Sequence, residues 1–485
     1  MGAIIAVVDK NDENVAKTAV TMLKMLKQKH AETFGLASPT TVMTGNSIED
    51  FRDKQPSSPV LVGRISSRIS ISNVPQPMKL DNGTFVFEGR IYSPNMEISS
   101  VELAAKKMNQ NLGNAEPLIK DFEGDFAFVV AEPGKLVAGR DSLGAYPLYY
   151  GENADLTALA SERKALLKIG MEEAHSFPPG HIATVDKHGF NFKRAKTLVS
   201  TKTKQITMQN AAEELRRLLQ QSVKHRVSGL KEVAVAFSGG LDSSLIAFLA
   251  KSFGREVHLI SVSLKNQPEI DYMKKAAEAL NLPLHIHLYS EKAVEEALQK
   301  VLWVIEESNP VKASIGIPVF WTAERTSEMG FEIMFAGQGA DELFGGYKRY
   351  LDGYVRYGEE FVQKTVFNDI AKMYEHNFER DCKICNYHNI ELRLPFATYQ
   401  LAEFAASLPL KLKIESPNDL LRKTVLRKVA ENVGLPHFIL NRPKRAIQYA
   451  TGVNKVIKKL AKEKGLSTKE YLQKTFQTVF KDALA

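Results

Sequence analysis

The residues best suited to chemistry lie between positions 232 and 244, where the sequence reads Glu-Val-Ala-Val-Ala-Phe-Ser-Gly-Gly-Leu-Asp-Ser-Ser. Residues 233–237 form an apolar run typical of a buried parallel strand, and the apolar period over 245–250 is typical of a helix. A glycine turn between strand and helix directs backbone N–H groups toward an anion, which the helix dipole also attracts. This stretch therefore predicts a phosphate-binding loop.

The side chains of this loop extend the same interpretation. Gly239 and Gly240 let the backbone approach a phosphate closely. Hydroxyl donors come from Ser238, Ser243 and Ser244. The carboxylate of Asp242 would repel phosphate, so we expect it to bind a Mg²⁺ ion that bridges phosphate oxygens.

The spacing is not that of the Walker loop, because no Gly-x-x-x-x-Gly-Lys-[Ser/Thr] occurs here. Ser-Gly-Gly-x-Asp-Ser is instead the pyrophosphate loop of enzymes that cleave ATP between its α- and β-phosphates. The structural alternative is an ordinary glycine turn with Asp242 as a helix N-cap.

A second segment with the same logic spans residues 335–347 and reads Phe-Ala-Gly-Gln-Gly-Ala-Asp-Glu-Leu-Phe-Gly-Gly-Tyr. An apolar strand ends at Gly337 and Gly339, and an acidic pair follows at a predicted helix start, where carboxylates also suit the helix dipole. Two glycine-flanked acids after two strands suit one metal–triphosphate site. We therefore expect Asp341 to face Asp242 as a second Mg²⁺ ligand.

The elements that position these loops fall into two halves. The first half has short β-like runs at 3–8, 60–62, 84–87, 126–130 and 147–150 with a predicted helix at 15–29, which favours an α+β sandwich. The polar, lysine-rich stretch 189–209 is interpreted as a linker. From residue 210, helices alternate with apolar strands at 233–237, 257–262, 284–287 and 333–335, which predicts a parallel sheet. After residue 347 we predict only helices.

The composition is typical of a globular protein, with 485 residues, 44% hydrophobic and 25% charged. No run approaches the roughly 18 apolar residues of a membrane span, and Asp9 comes too early for a signal peptide. Two cysteines argue against a disulfide framework, so we expect a cytoplasmic protein. The net charge of +8 is mild for this length and does not by itself indicate nucleic-acid binding.

The two phosphate segments together resemble the synthetase domain of the asparagine synthetases, as do residues 390–396 and 442–444. The first half resembles the glutaminase domain of that family at residues 122–128, 139–149, 160–165 and 178–180. The likeness covers almost the whole chain, in the family's order of motifs. It implies an Ntn-hydrolase-like α+β sandwich at 1–195. It also implies an α/β, pyrophosphate-loop (HUP-like) parallel-sheet synthetase domain at 206–485 with a helical C-terminal part.

The resemblance also implies a reaction in two steps. ATP and a carboxylate give an acyl adenylate and pyrophosphate, and ammonia or another amine then displaces AMP. Asp242 and Asp341 would bind Mg²⁺, and Lys444 would stabilise charge on the phosphate, although a basic surface turn is the alternative for this lysine. Pyrophosphate binding is implied for Ser238, Gly239, Gly240, Asp242, Ser243 and Ser244. Adenosine binding is implied for Phe237, Val262, Ala336 and Gly337.

Two departures from the family pattern change these implications. The family's glutaminase nucleophile is a cysteine, but this chain has Gly2, which has no thiol, and the segment that holds glutamine is missing at 62–67. We therefore expect an inactive glutaminase-like domain. The family's Gly-Glu-Gly-[Ser/Ala]-Asp-Glu contains a glutamate that Gln338 replaces, and a neutral amide cannot accept a proton. Either the substrates are not aspartate and ammonia, or another base serves, with candidates Glu342, Glu391 and Tyr347.

Two smaller features stay open. Cys382 and Cys385 lie between His376 and His388, so one helix face could hold a metal, although helical cysteines are usually buried apolar residues. Arg393 could pair with Glu391 or with substrate.

Four functions are compatible with these residues. The family pattern favours an ATP- and Mg²⁺-dependent, AMP-forming amide synthetase that joins aspartate to ammonia. Gln338 favours an amide ligase or cyclase of the same fold with another acyl substrate or amine. Intact Asp242, Asp341 and Lys444 argue against a merely regulatory nucleotide-binding homologue. An RNA-modifying enzyme lacks support, because no RNA-binding signature occurs. We expect small-molecule partners and no membrane partner, and a homodimer stays open.

Overall fold

The structure, a computed structural model, describes residues 2–26, 31–52, 54–67, 74–92, 98–111, 114–200 and 202–484. Contacts along the chain define two compact units, residues 1–197 with 481–485 and residues 198–480. Within the described ranges, no helix combines the length and apolar character that crossing a membrane requires.

The first unit is built mainly from strands. They are β1 (Gly2–Asp9), β2 (Thr33–Ala37), β3 (Val42–Gly45), β4 (Val60–Ser66), β5 (Met78–Leu80), β6 (Gly83–Ile91), β7 (Gly124–Glu132), β8 (Lys135–Arg140), β9 (Tyr149–Glu152), β10 (Leu156–Ala160), β11 (His175–Ser176), β12 (His181–Asp186) and β13 (Gly189–Arg194). The α-helices of this unit are α1 (Ala16–Leu26), α2 (Ser100–Gln110), α3 (Glu116–Asp121) and α4 (Arg163–Lys168). Residues 27–30 of the predicted first helix lie outside the described ranges.

Two antiparallel sheets form the layers of this unit. Their strand orders are β11-β9-β10-β1-β4-β2-β3 and β13-β12-β8-β7-β6-β5. Strands β1 and β4 contact β6 and β7, so the sheets stack face to face. Helices α1 and α4 cover the first sheet, and α2 and α3 cover the second, where Phe126 and Phe128 of β7 point into their shared core. The unit is the α+β sandwich that the sequence predicted.

The rest of the chain alternates strands with helices and then becomes largely helical. Its strands are β14 (Glu232–Ala236), β15 (Glu256–Leu264), β16 (Leu284–Tyr289), β17 (Ile333–Phe335) and β18 (Glu391–Arg393). Its α-helices are α5 (Met208–Val227), α6 (Leu241–Ser252), α7 (Glu269–Leu280), α8 (Glu291–Ile305), α9 (Pro310–Glu328), α10 (Ala340–Leu343), α11 (Lys348–Ala371), α12 (Glu379–Tyr387), α13 (Tyr399–Ser407), α14 (Thr424–Asn432), α15 (His437–Leu440), α16 (Ile447–Ala450), α17 (Val453–Glu463) and α18 (Thr468–Leu484).

The sheet of the second unit is parallel throughout, in the order β16-β15-β14-β17-β18. The central strand of the sheet is β14. The next strand along the chain, β15, lies on one side of it, and the later strand β17 lies on the other side. Connections after β14 and β17 therefore diverge at a topological switch point, where α/β sheets leave a crevice for ligands. The parallel sheet predicted from the sequence is confirmed, and the two phosphate segments follow these two strands.

Two predicted segments were wrong. The proposed linker at 189–209 begins with β13, which pairs with β12, because Phe190 and Phe192 lie two residues apart and both rings contact Tyr150. The chain after residue 347 is also not wholly helical, because β18 extends the sheet beside β17. Both strands are short and carry charged residues, which hid their β pattern.

Lys413 is a buried lysine in the second unit. It follows a short 3₁₀ segment, Leu410–Leu412, and is fully buried. Its Nζ has no hydrogen-bond partner among the described residues. Burial lowers the pKa of Lys413 from the ordinary 10.5 to about 7. Between these values the unfolded chain binds a proton that the folded chain does not, so stability rises with pH across this window.

We predict that Lys413→Met stabilises the protein at pH 8 by roughly 3 kcal/mol, because the cost of discharging a buried amine disappears. The free energy of unfolding, measured by urea denaturation, should also lose its rise between about pH 7 and 10. Lys411→Met changes an exposed lysine two residues away and is the matched control. Equal effects of both substitutions would contradict the prediction.

Candidate active site

A cavity of about 590 Å³ lies at the carboxyl ends of β14 and β17. Residues from the loops after both strands line it, together with side chains from β15, α7, α12 and the segments 422–427 and 442–451. The position agrees with the crevice expected at the switch point of a parallel sheet.

The loop after β14 has the geometry of an anion cradle. Gly239 adopts a φ of +69°, which favours glycine, and Gly240 is the N-cap of α6. Ser238 accepts a hydrogen bond at Oγ from the Gly240 N–H at 3.3 Å, and the hydroxyls of Ser238 and Ser243 are 3.3 Å apart. Backbone N–H groups at the start of a twelve-residue helix can thus bind phosphate oxygens.

Asp242 and Asp341 share this cavity and form a four-residue cluster with two lysines. The Lys423 ammonium lies 2.7 Å from Asp242 Oδ2 and 2.6 Å from Asp341 Oδ1. The Lys444 ammonium lies 2.8 Å from Asp341 Oδ2 and 3.7 Å from Asp242 Oδ2. Asp242 is not the N-cap of α6, because Gly240 is, and Lys444 does not lie on an isolated surface turn. We call these residues the acid–lysine cluster.

The electrostatics of the cluster favour the charged form of every group for which a shift is resolved. Burial opposes ionisation of Asp341, but the ammonium groups of Lys423 and Lys444 outweigh it and hold the pKa of Asp341 well below the ordinary value. The side chain of Lys444 is 33% exposed; partial loss of hydration favours its neutral form, but the carboxylates of Asp341 and Asp242 hold its pKa above the ordinary value. The cluster is a preorganised array of two positive and two negative charges.

Lys423 is the site residue that sequence reasoning missed. It and its neighbour Arg422 both adopt left-handed backbone conformations, with φ of +55° and +54°. Such conformations strain non-glycine residues by about 1 kcal/mol or more each, and they are concentrated at functional sites. The strained turn aims Lys423 into the cavity, and the Arg422 Nε donates to the Gly346 carbonyl at 3.0 Å. No motif marks this lysine in the sequence.

Arg442 belongs to the segment 442–444 that carried the family resemblance, but the sequence predicted no role for it. Its guanidinium lies 3.4 Å from the Tyr272 ring centroid and pairs with Glu269, which also pairs with Arg445. All three charged residues line the cavity beside the glycine loop. They add positive charge where an anion would bind.

The four predicted adenosine-binding residues all line the cavity, whereas the predicted pyrophosphate ligands only partly do. Phe237, Val262, Ala336 and Gly337 line the cavity, and further apolar lining comes from Ile260, Met273, Val319, Met334 and Leu392. This wall suits a flat aromatic base. Two predicted pyrophosphate ligands, Gly239 and Ser244, are not among the lining residues. Ser244 is fully buried in α6, where its hydroxyl has no partner within the described ranges.

Gln338 also lines the cavity, and its Nε2 donates to Asp381 Oδ2 at 2.6 Å. Arg380 holds the same carboxylate through Nε at 2.7 Å and Nη2 at 3.0 Å. Sequence reasoning did not single out Arg380 or Asp381, because they lie more than forty residues after Gln338 and belong to no motif that was recognised.

The alternative bases are less accessible. Glu342 is buried, accepts hydrogen bonds from Tyr347 and Asn377, and does not line the cavity; burial and then Asp341 raise its pKa. Tyr347 lines the cavity, but burial and then Glu342 raise its pKa well above the ordinary value. Glu391 accepts a hydrogen bond from the Arg393 Nε at 2.6 Å, so Arg393 pairs with it.

Among the described residues, Cys382, Cys385, His376 and His388 do not form a group spaced for a metal ion. Both cysteines are buried in α12 without a disulfide, and His388 packs against the Phe320 ring. The described residues do contain one such group, Glu232, Glu256 and His258, but it lies at the amino ends of β14 and β15.

Comparisons with known proteins identify the family of the chain. The family model for asparagine synthase matches residues 214–361 and 354–482, and the model for a glutamine amidotransferase domain matches 64–168. The chain is 32% identical to a Methanocaldococcus jannaschii protein named as asparagine synthetase [glutamine-hydrolyzing] 1, over 97% of each chain. This chain belongs to the asparagine synthetase family. ATP-dependent amide synthesis is the general activity of that family.

Two plant relatives match a smaller part of this chain. Asparagine synthetase [glutamine-hydrolyzing] of Triphysaria versicolor is 27% identical over 70% of this chain and 59% of its own length. The Asparagus officinalis enzyme of the same name is also 27% identical, over the same shares. The chain therefore spans about three fifths of the length of these plant enzymes.

The surroundings of Gly2, where the resemblance implies a nucleophile, leave no room for a side chain. A side chain built on Gly2 would place its Cβ 2.1 Å from Glu88 Oε1 and 2.6 Å from the Ile65 carbonyl. Glu88 is held there by an ion pair with Arg64, and both side chains are buried. The space beside Gly2 is thus filled by a carboxylate.

Gly346 fixes the acid–lysine cluster sterically. A Cβ at this position would lie 2.0 Å from Asp341 Oδ1 and 2.3 Å from Lys423 Cε. We predict that Gly346→Ala lowers ATP–pyrophosphate exchange about 100-fold, because displacing reacting groups by about 1 Å has effects of this size. Gly353→Ala is the matched control, since its Cβ would make ordinary contacts at 3.5 Å within α11. Full exchange activity in Gly346→Ala would contradict this role.

Proposed function

We propose that this protein is an ATP-dependent, AMP-forming amide synthetase that adenylates aspartate and transfers the acyl group to ammonia without hydrolysing glutamine. The observation that carries the proposal is the pair of carboxylates, Asp242 and Asp341, that face one cavity with Lys444 beside them. Family membership supports ATP-dependent amide synthesis, and the identities of the acid and the amine are our inference.

The residues present fit a Mg²⁺ ion. This ion prefers carboxylate and phosphate oxygens, and Asp242 and Asp341 offer carboxylate oxygens from two strand ends. Mg²⁺ would neutralise charge on the triphosphate at these residues. The same oxygens now share Lys423, so the cluster already accommodates a cation between them.

In the first step, a carboxylate oxygen of the acid attacks the α-phosphorus, and the bond to the β-phosphate oxygen breaks. The backbone N–H of Gly240 and the hydroxyls of Ser238 and Ser243, which line the cavity, would hold pyrophosphate. Lys444 would stabilise the negative charge that develops on the phosphate oxygens. The apolar wall around Val262 and Ala336 would exclude water from the adenosine end of the cavity.

In the second step, ammonia attacks the acyl carbon, the carbon–oxygen bond to AMP breaks, and AMP leaves with the electron pair. Nothing in this step requires glutamine. Gly2 offers no thiol for an acyl-enzyme, and Glu88 fills the space that a thiol would need. We therefore propose that free ammonia is the nitrogen donor.

A second function is favoured by Gln338, which replaces the family's glutamate. A neutral amide favours an amine or an acyl substrate other than that of the family's named reaction. An amide ligase or cyclase of the same fold would use the same adenylation groups, so the acyl and amine substrates distinguish the two proposals.

The decisive experiment is pyrophosphate release with ATP, Mg²⁺ and a panel of carboxylic acids. We expect release with aspartate and asparagine formation with added ammonia but not with glutamine. Release with another acid alone would support the second function, and no release with any acid would overturn both.

Asp242→Asn should lower pyrophosphate release about 100-fold, because it weakens the binding of the metal ion and the phosphates. Asp352→Asn, at an exposed position, is the control.

Restoring the nucleophile alone should not restore glutamine use. We predict that Gly2→Cys shows no glutamine-dependent turnover, because the new side chain would collide with Glu88 and the glutamine-holding segment is missing at 62–67. Glutaminase activity is measured as glutamate release, with ammonia-dependent turnover as the control for folding. Glutamate release at a rate matching ammonia-dependent turnover would refute the prediction.

A further inference from the structure

Gln338 makes a directed contact within the cavity wall. Its Nε2 lies 2.6 Å from Asp381 Oδ2, and the Asp381 side chain is only 2% exposed. Arg380, equally buried, donates to both oxygens of that carboxylate. Within the described residues, the hydrogen bonds to the Asp381 carboxylate thus come from Arg380 and Gln338.

This contact fixes the orientation of the Gln338 amide. An ionised carboxylate accepts hydrogen bonds and donates none, so the NH₂ end of the amide must face Asp381. The carbonyl oxygen, Oε1, is then the end that remains for a ligand. An amide without such a partner could turn either end toward the cavity, because its two orientations have nearly the same shape.

The neighbours of Gln338 place it beside the reacting groups. A Cβ on Gly337 would lie 2.9 Å from Asp242 Cβ, so the preceding residue packs directly on the glycine loop. Three residues after Gln338, Asp341 joins the acid–lysine cluster. An acyl group held at this cluster would therefore lie near the Gln338 side chain.

We propose that the Arg380–Asp381 pair orients Gln338 so that its carbonyl oxygen accepts an N–H group of the amine that attacks the acyl adenylate. This inference rests on the proposed function and names the group that binds its nucleophile. Gln338 contacts the amine, and Asp381 is a positioning residue that acts through Gln338. Asp381 is not the base, because Arg380 and Gln338 occupy its oxygens and only 2% of its side chain is exposed.

The step balances without a protein base. Ammonia forms the carbon–nitrogen bond, AMP departs with the electron pair of the broken carbon–oxygen bond, and the nitrogen loses one proton to water. The Gln338 carbonyl accepts a hydrogen bond from one of the other N–H groups of ammonia. This hydrogen bond orients the nitrogen lone pair toward the acyl carbon. A carboxylate at position 338 would do the same, but here it would face the carboxylate of Asp381 and be repelled.

A charge-swap series tests this arrangement. Asp381→Asn frees the Gln338 amide to turn, and Gln338→Glu places two carboxylates in contact. Each single change should raise the KM for ammonia about tenfold at saturating ATP and acid. The double variant, Gln338→Glu with Asp381→Asn, pairs the new carboxylate with the new amide and keeps one negative charge beside Arg380. Its KM should return to within about threefold of the unmodified protein.

The adenylation half-reaction separates this inference from the proposed function. ATP–pyrophosphate exchange without ammonia is measured on every variant, with exposed Asp352→Asn as the matched control for the charge change. We expect the ratio of amide formation to exchange, at low ammonia, to fall about tenfold in each single variant and to recover in the double.

Three outcomes would count against the proposal. Absence of exchange in the unmodified protein overturns the proposed function and this inference together. Exchange with unchanged ammonia KM in both single variants overturns this inference alone. A folded double variant with an ammonia KM no better than that of Gln338→Glu contradicts the pairing. If variants with Asp381→Asn do not fold, Gln338→Glu alone decides, because an unchanged ammonia KM in it contradicts the proposal.

Discussion

Two carboxylates that repel one another must lie side by side for the second unit to have a site at all. Asp242 and Asp341 are held together because Lys423 contacts both, and Lys444 adds a second positive charge. Removing either lysine would leave the cluster with one uncompensated negative charge in a largely enclosed site, which is costly. The four charges sum to zero. We therefore expect that, when a triphosphate and a metal ion enter, the carboxylates pair with the metal ion and the lysines with the phosphates, so that every charge keeps a partner.

The sheet brings the parts of this cluster together from distant segments. Asp242 and Asp341 are almost one hundred residues apart in the chain but follow adjacent parallel strands, whose register pairs Val235 with Phe335. Lys423 and Lys444 come from the helical region beyond the sheet. Gly346 leaves room for the lysine stem, and the left-handed turn at Arg422 and Lys423 directs it. Adjacent strand ends provide the carboxylates, and the later helices provide the cations.

The features that could be predicted from the sequence are those that a local pattern of residues encodes. The strand–glycine–helix order around Asp242 and the second glycine segment before Asp341 are local, so the position of both acids in one crevice followed from the parallel sheet. Lys423 and Asp381 could not be found in this way, because only tertiary contact relates them to the loops. Strands β13 and β18 were missed because their residues are few and mostly polar, so cross-strand partners determine their conformation more than their own pattern does.

The ion pair beneath the first residue of β1 has a consequence for how this unit could change over generations. Arg64 and Glu88 are both buried. Removing Glu88 would leave the buried Arg64 guanidinium without its partner and lower the free energy of unfolding by about 3–5 kcal/mol. Leaving Glu88 in place bars any larger residue at position 2. No single substitution avoids both the clash with Glu88 and the loss of the ion pair, so the pair constrains which residue can follow at position 2. A larger residue at position 2 can therefore be reached one mutation at a time only through a weakened intermediate.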